Sequence, residues 1–146
     1  MAKLHKENCS FGITNRTRHF IPRSLLERVF SIAAKHHTID ISLVFVGERA
    51  MKGLNKKWRG KDASTNVLAF PLDSRLGEIF INPFQAEREA KIAGTSFTNR
   101  IVYLFVHGLL HLQGFDHETE RDAERMEKEE QKILNYESRS MKYGKT

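Results

Sequence analysis

The segment from Ile101 to Leu112 reads I-V-Y-L-F-V-H-G-L-L-H-L, an apolar run interrupted by few polar groups. A helix that is apolar on all sides has to be buried, so this segment demands packing elements all around it. Burying the imidazoles of His107 and His111 costs free energy unless they find partners, and a metal ion supplies one. Residues four apart share one helix face, with Cβ atoms about 5–6 Å apart, so both rings can address one cation. Gly114 is placed to end the helix, because glycine takes the left-handed conformation without a Cβ clash. The chain can then turn back and bring His117 in as a third ligand. A lone histidine would read as core or surface. Three at this spacing read as a metal site.

The pattern H-x3-H-x2-G-x2-H resembles the ligand skeleton of the metzincin proteases, with Gly108 where those enzymes carry glutamate. Three neutral imidazoles leave a fourth position for water or substrate, as in catalytic zinc sites. The same ligands also suit nickel or copper. Asp116, beside His117, is a candidate either to hydrogen-bond a ligand imidazole or to cap the following helix. Met126 is a candidate for a turn beneath the metal, with core packing as the alternative.

The rest of the chain has no repeats, low-complexity tracts or linkers, and its 146 residues are expected to form one domain, with about eight residues at each end loose. Strands are predicted at 10–15, 41–46, 66–70 (stopped by Pro71) and 77–82. Helices are predicted at 22–36 with Pro22 at its first position, at 48–58 with Met51, Leu54 and Trp58 inward, and at 83–93. The histidine helix is expected to be capped by Thr98 or Asn99. A charged helix over 118–135 follows, packing through Ala123, Met126, Ile133 and Leu134. The fold class is therefore α+β, a small mixed sheet packed against helices that include a buried metal-binding helix.

The formal charge is +6, but it is unevenly spread. Residues 1–61 carry 13 Lys and Arg against 4 Asp and Glu, whereas residues 62–146 carry 11 against 14. A basic half suggests a polyanionic partner, and nucleic acid is the commonest. The first eight residues show no signal-peptide core, and no stretch approaches the roughly 20 apolar residues of a membrane span. Cys9, the one cysteine, excludes an intrachain disulfide and is expected to be incidental near a loose terminus. A cytoplasmic location fits.

Within the basic half, Lys56, Lys57, Arg59 and Lys61 surround Trp58, and Gly60 frees the backbone at a helix end. Arginine can hold phosphate oxygens in pairs and stabilise charge that builds on phosphorus. Trp58 can stack on an unpaired base, with a core or hinge role as the alternative.

These segments together resemble the YbeY family of bacterial endoribonucleases. The stretches that carry the likeness are Leu54-Asn55, Trp58 to Asp62, Thr65 to Pro71, Leu76 to Ile79 and His107 to His117, in order along most of the chain. The resemblance implies a zincin-like α+β fold and a zinc-dependent, single-strand-specific endoribonuclease. It also implies a role in maturation of the small-subunit rRNA 3′ end and in ribosome quality control, with ribosomal proteins as partners. The family's metal histidines fall on His107, His111 and His117, and its functional arginine on Arg59. This chain reads Thr-Asn-Val-Leu-Ala-Phe where the family typically has Thr-Asp-Val-Leu-Ser-Phe, and Phe115 where tyrosine is common. Asn66 thus removes a carboxylate, and no acid–base role is placed there.

Two other functions share these features. A metalloprotease would use the same metal grip, but Gly108 leaves it without its base. A zinc-stabilised module that binds RNA or the ribosome without cleaving would use the basic half alone. In RNA hydrolysis, Arg59 would grip the phosphate, Lys56, Lys57, Trp58 and Lys61 would bind the strand, and the proton acceptor stays unassigned.

Overall fold

The computed structural model describes residues 9–34, 39–114 and 119–143, with side chains as far as residue 135. Four strands, β1 (Phe11–Asn15), β2 (Asp40–Phe45), β3 (Val67–Asp73) and β4 (Leu76–Ile81), form one sheet in the order β1-β2-β4-β3. β1, β2 and β4 run parallel, and β3 returns antiparallel beside β4 as an edge strand. Five helices complete the chain: α1 (Arg23–Ala33), α2 (Glu48–Arg59), α3 (Pro83–Ala93), α4 (Phe97–Leu112) and α5 (Glu120–Tyr143).

Both faces of the sheet are covered. On one face Phe11, Ile41, Leu43, Phe45, Ile79 and Ile81 pack with side chains of α1, α4 and α5 in the main core. On the other, Val44, Val46, Leu68 and Phe80 pack with Met51 and Leu54 of α2. Phe80 is buried as well, on the face opposite Ile79 and Ile81. Strands covered on both faces read as near-continuous apolar runs, as Ile79, Phe80 and Ile81 do here.

The predicted histidine helix is α4, and it lies in the core. Ile101, Val102, Leu104, Phe105, Val106, Leu109 and Leu110 are all buried, each contributing about 1.5–3 kcal/mol if fully removed from water. Gly108 sits against β4: a Cβ there would meet Ile79 Cγ2 at 3.1 Å. That close approach fixes how deep α4 lies on the sheet. Beyond the helix, Gly114 has φ 97°, a left-handed value that glycine takes without a Cβ clash.

Several boundaries differ from expectation. Ser96 caps α4, accepting from Asn99 N–H at 3.0 Å, so neither Thr98 nor Asn99 is the cap. Pro22 is itself the cap of α1 rather than its first residue. β3 runs through Pro71 to Asp73 with a register shift there; an edge strand tolerates a residue without an N–H on its open side. Trp58 is 61% exposed rather than inward, and Cys9 is 2% exposed within the main core rather than incidental at a loose end. α5 extends to Tyr143, and Met126 takes the core-packing role. No helix among the described residues is long and apolar enough to cross a membrane.

Candidate active site

Where the last turns of α4 pass the edge strand β3, a cleft of about 420 Å³ opens. His107, Gly108 and His111 line it from α4, Val67 and Ala69 from β3, and Thr65 and Asn66 from the segment leading into β3. Arg59 enters from the last turn of α2, which covers the opposite face of the sheet. Its Nη2 donates to Ala69 O at 3.4 Å, and its guanidinium lies 5.8 Å from the Phe70 ring centroid. The arginine thus reaches past the open edge of the sheet. An inner strand in place of β3 would have blocked it. Gly60, at φ 69°, ends α2 in the left-handed conformation just after this residue.

The two imidazoles meet at their Nε2 atoms, 3.1 Å apart. On the far side of the first ring, His107 Nδ1 lies 2.7 Å from Glu130 Oε2 of α5. Glu130 is 5% exposed. A carboxylate only accepts, so the pair places the imidazole proton on Nδ1 and the lone pair of His107 on Nε2. Two nitrogens so close share either a proton, donated by His111 Nε2–H, or a cation. Tetrahedral zinc with nitrogen bonds of about 2.0–2.1 Å separates its ligands by roughly 3.3 Å, so this donor pair fits one ion. Among the described residues no group of three His, Cys, Asp or Glu side chains is arranged to hold a metal. His117, the third ligand expected from sequence, and Asp116 lie outside the described residues.

Behind the cleft wall, a polar network joins α3, α4 and Asn66. Asn66 Nδ2 donates to Glu89 Oε1 and Oε2 at 3.2 and 3.1 Å, and Gln85 Nε2 donates to Oε2 at 3.1 Å. Arg100 donates to Oε1 through Nε at 2.9 Å, and its Nη2 lies 2.9 Å from the same oxygen. Burial of Glu89 would raise its pKa, but these donors and the Arg100 charge outweigh it, holding the carboxyl below its usual range. Arg100 also lies over the Tyr103 ring at 4.7 Å, and Tyr103 stacks on His107 at 5.9 Å. Burial, followed by the negative charge of Glu130, pushes the Tyr103 hydroxyl up, so it stays protonated.

The structure therefore brings Arg59, His107 and His111 together from segments some fifty residues apart in sequence. Lys56, Lys57, Trp58 and Lys61 are exposed at the end of α2 and do not line the cleft. Lys57 Nζ sits 5.1 Å from the Trp58 ring centroid, and Trp58 leans on Phe70 at 6.3 Å. Sequence reasoning missed Glu130 as the partner of His107. A signal existed: Met126, Glu130 and Ile133 are buried together on α5, placing one carboxylate on its apolar stripe. Adjacency in sequence instead singles out Asp116, beside His117, as a candidate for either an imidazole partner or a helix cap. Thr119 Oγ1, 3.0 Å from the Asp122 N–H, supplies the cap at the start of α5.

The family profile described as Endoribonuclease YbeY matches residues 5–137.

The chain belongs to the YbeY endoribonuclease family.

Relatives named Endoribonuclease YbeY include one from Chelativorans sp., 40% identical over 77% of both chains. Another, from Bartonella henselae, is 38% identical over 88% of this chain and 82% of its own. Among solved structures, the solution structure of TM1509 from Thermotoga maritima superposes with a TM-score of 0.67. It is 26% identical and covers 92% of this chain and 93% of its own. The residues that line the α4 cleft, Arg59, Thr65, Asn66, Val67, Ala69, His107, Gly108 and His111, all fall within the stretches that resemble the family.

Proposed function

We propose that this protein is a zinc-dependent endoribonuclease of zincin-like fold that cleaves single-stranded RNA. Its role would lie in maturation of the small-subunit rRNA 3′ end and in ribosome quality control, in the cytoplasm and in contact with ribosomal proteins. The observation that carries the reading is the convergence of Arg59 with the His107–His111 pair in one cleft. Family membership supplies the reaction class.

His107, His111 and His117 would hold the zinc. When bound, zinc supplies a Lewis acid that lowers the pKa of water towards about 7. Glu130 keeps the His107 proton on Nδ1 and so keeps Nε2 available as a donor to the ion. Arg59 binds the phosphate and stabilises negative charge as it grows on the non-bridging oxygens. Lys56, Lys57 and Lys61 extend the positive field along the strand, and Trp58 offers an exposed ring on which a base can stack.

Position 108 favours nuclease over protease. A side chain there would press on Ile79, so the glutamate that proteases use as a base has no room without repacking. The test is Arg59→Ala. Loss of a transition-state donor of this kind costs about 10²–10³-fold in rate. RNA cleavage should fall by that order while bound zinc, measured by elemental analysis, stays equal to wild type. Equal cleavage by the two proteins would remove Arg59 from the mechanism. Retained RNA binding without cleavage in the wild-type, zinc-loaded protein would favour a binding module.

A further inference from the structure

We infer that Asn66 is the residue that tells ribose from deoxyribose, by accepting a hydrogen bond from the 2′-hydroxyl beside the scissile phosphate. This rests on the nuclease reading above and adds the group that selects the sugar. Asn66 lines the same cleft as Arg59, His107 and His111. Its amide cannot turn freely. Both oxygens of Glu89 accept from Nδ2, and a carboxylate has only acceptors to offer, so the NH₂ end of the amide must face Glu89. Glu89 is itself fixed by Gln85 and Arg100 and stays ionised, because its donors outweigh its burial.

The other end of the amide, Oδ1, is therefore committed as an acceptor, and no donor among the described residues reaches it. Such an oxygen repels phosphate, so it does not serve as a second phosphate ligand beside Arg59. It calls for a donor on the substrate. Base edges present different donors from one nucleotide to the next. The 2′-hydroxyl is the donor that every ribonucleotide carries next to its 3′-phosphate, and it is absent from DNA. An amide oxygen locked on a residue of the cleft that Arg59 also lines thus has one sequence-independent partner on the RNA.

The lock matters as much as the oxygen. If Glu89 were neutral or absent, the amide could rotate and present its NH₂ to the cleft, where it would favour phosphate and lose the sugar preference. Glu89 and Arg100 are thus positioning residues for Asn66.

The test combines protein and substrate changes. Wild type and Asn66→Ala are each given an RNA oligonucleotide and a set of oligonucleotides with one 2′-deoxy substitution at successive positions around the cleavage site. In wild type, one position should slow cleavage by about 3–10-fold, the worth of a single neutral hydrogen bond. In Asn66→Ala the same substitution should have no further effect. Glu89→Gln should weaken the preference for ribose at that position while bound zinc matches wild type. Binding of short single-stranded RNA and DNA of one sequence gives a readout independent of turnover, and the RNA preference should shrink in Asn66→Ala. Additive effects at every position, with an unchanged binding preference, would overturn the inference and leave the nuclease reading standing. Absence of cleavage by zinc-loaded wild type would overturn the nuclease reading. In that case an RNA preference abolished by Asn66→Ala would still support sugar recognition.

Discussion

Replacing Glu130 tests whether α5 serves the candidate site or only the core. Its Oε2 lies 2.7 Å from His107 Nδ1, and the side chain is 6% exposed, so the contact is a shielded hydrogen bond with an ionisable partner. Two variants separate its parts. Glu130→Gln keeps an oxygen that can accept from Nδ1–H but removes the charge that makes Nε2 a better donor. Glu130→Ala removes the acceptor as well and leaves a buried cavity. Partners of this kind behind a ligating histidine are worth about 10–100-fold in metal affinity, or roughly 1.4–2.7 kcal/mol. Zinc affinity, measured by competition with a chromogenic chelator, should fall by about tenfold in Glu130→Gln and further in Glu130→Ala. RNA cleavage at limiting zinc should fall in parallel and recover when zinc is added in excess. Unchanged zinc affinity in both variants, with only the unfolding temperature lowered, would refute the reasoning and reduce Glu130 to a packing residue.

Three further predictions follow from separate observations. Gly108→Ala gains about 1 kcal/mol of helix propensity but presses on Ile79 at 3.1 Å; overpacking costs about 1–3 kcal/mol, so urea unfolding should show a net loss of about 1 kcal/mol, and a stabilised variant would contradict the packing argument. Glu89 has a carboxyl held below its usual value of 4.5, so its stabilising contribution is full above that value and disappears as the pH falls through its folded-state pKa; the stability gap between wild type and Glu89→Gln should therefore narrow in acid, and a gap constant down to pH 3 would argue otherwise. Trp58→Ala should weaken binding of single-stranded RNA, since stacking is worth about 1–3 kcal/mol per base, while leaving thermal unfolding almost unchanged because the ring is 61% exposed.

How much of this was legible before folding depends on whether the signal was local. The pair His107 and His111 was readable because helix geometry alone places residues four apart together, and the apolar run around them announced burial. Gly60 and Gly114 were readable as helix-ending glycines because a positive φ is a property of one residue. Errors arose where a neighbour in space overrode a pattern in sequence. Trp58 looked inward until α2 was seen to end beside the open edge of β3. Cys9 looked incidental until β1 drew it into the main core.

The sequence by itself determined the chemistry on offer: a histidine pair on a buried helix, a basic cluster holding Arg59, and the motifs that place the chain in its family. It did so because periodicity, turn residues and side-chain type act over a few residues. Only the tertiary structure decided which groups meet. Strand order put β3 at the edge, so Arg59 could enter the cleft that the histidines line from the opposite layer. The packing of α5 chose Glu130 from among many similar carboxylates, and the packing of α3 on α4 turned Glu89 and Arg100 into a lock on Asn66. Those choices depend on contacts between residues far apart in the chain, and no local pattern encodes them.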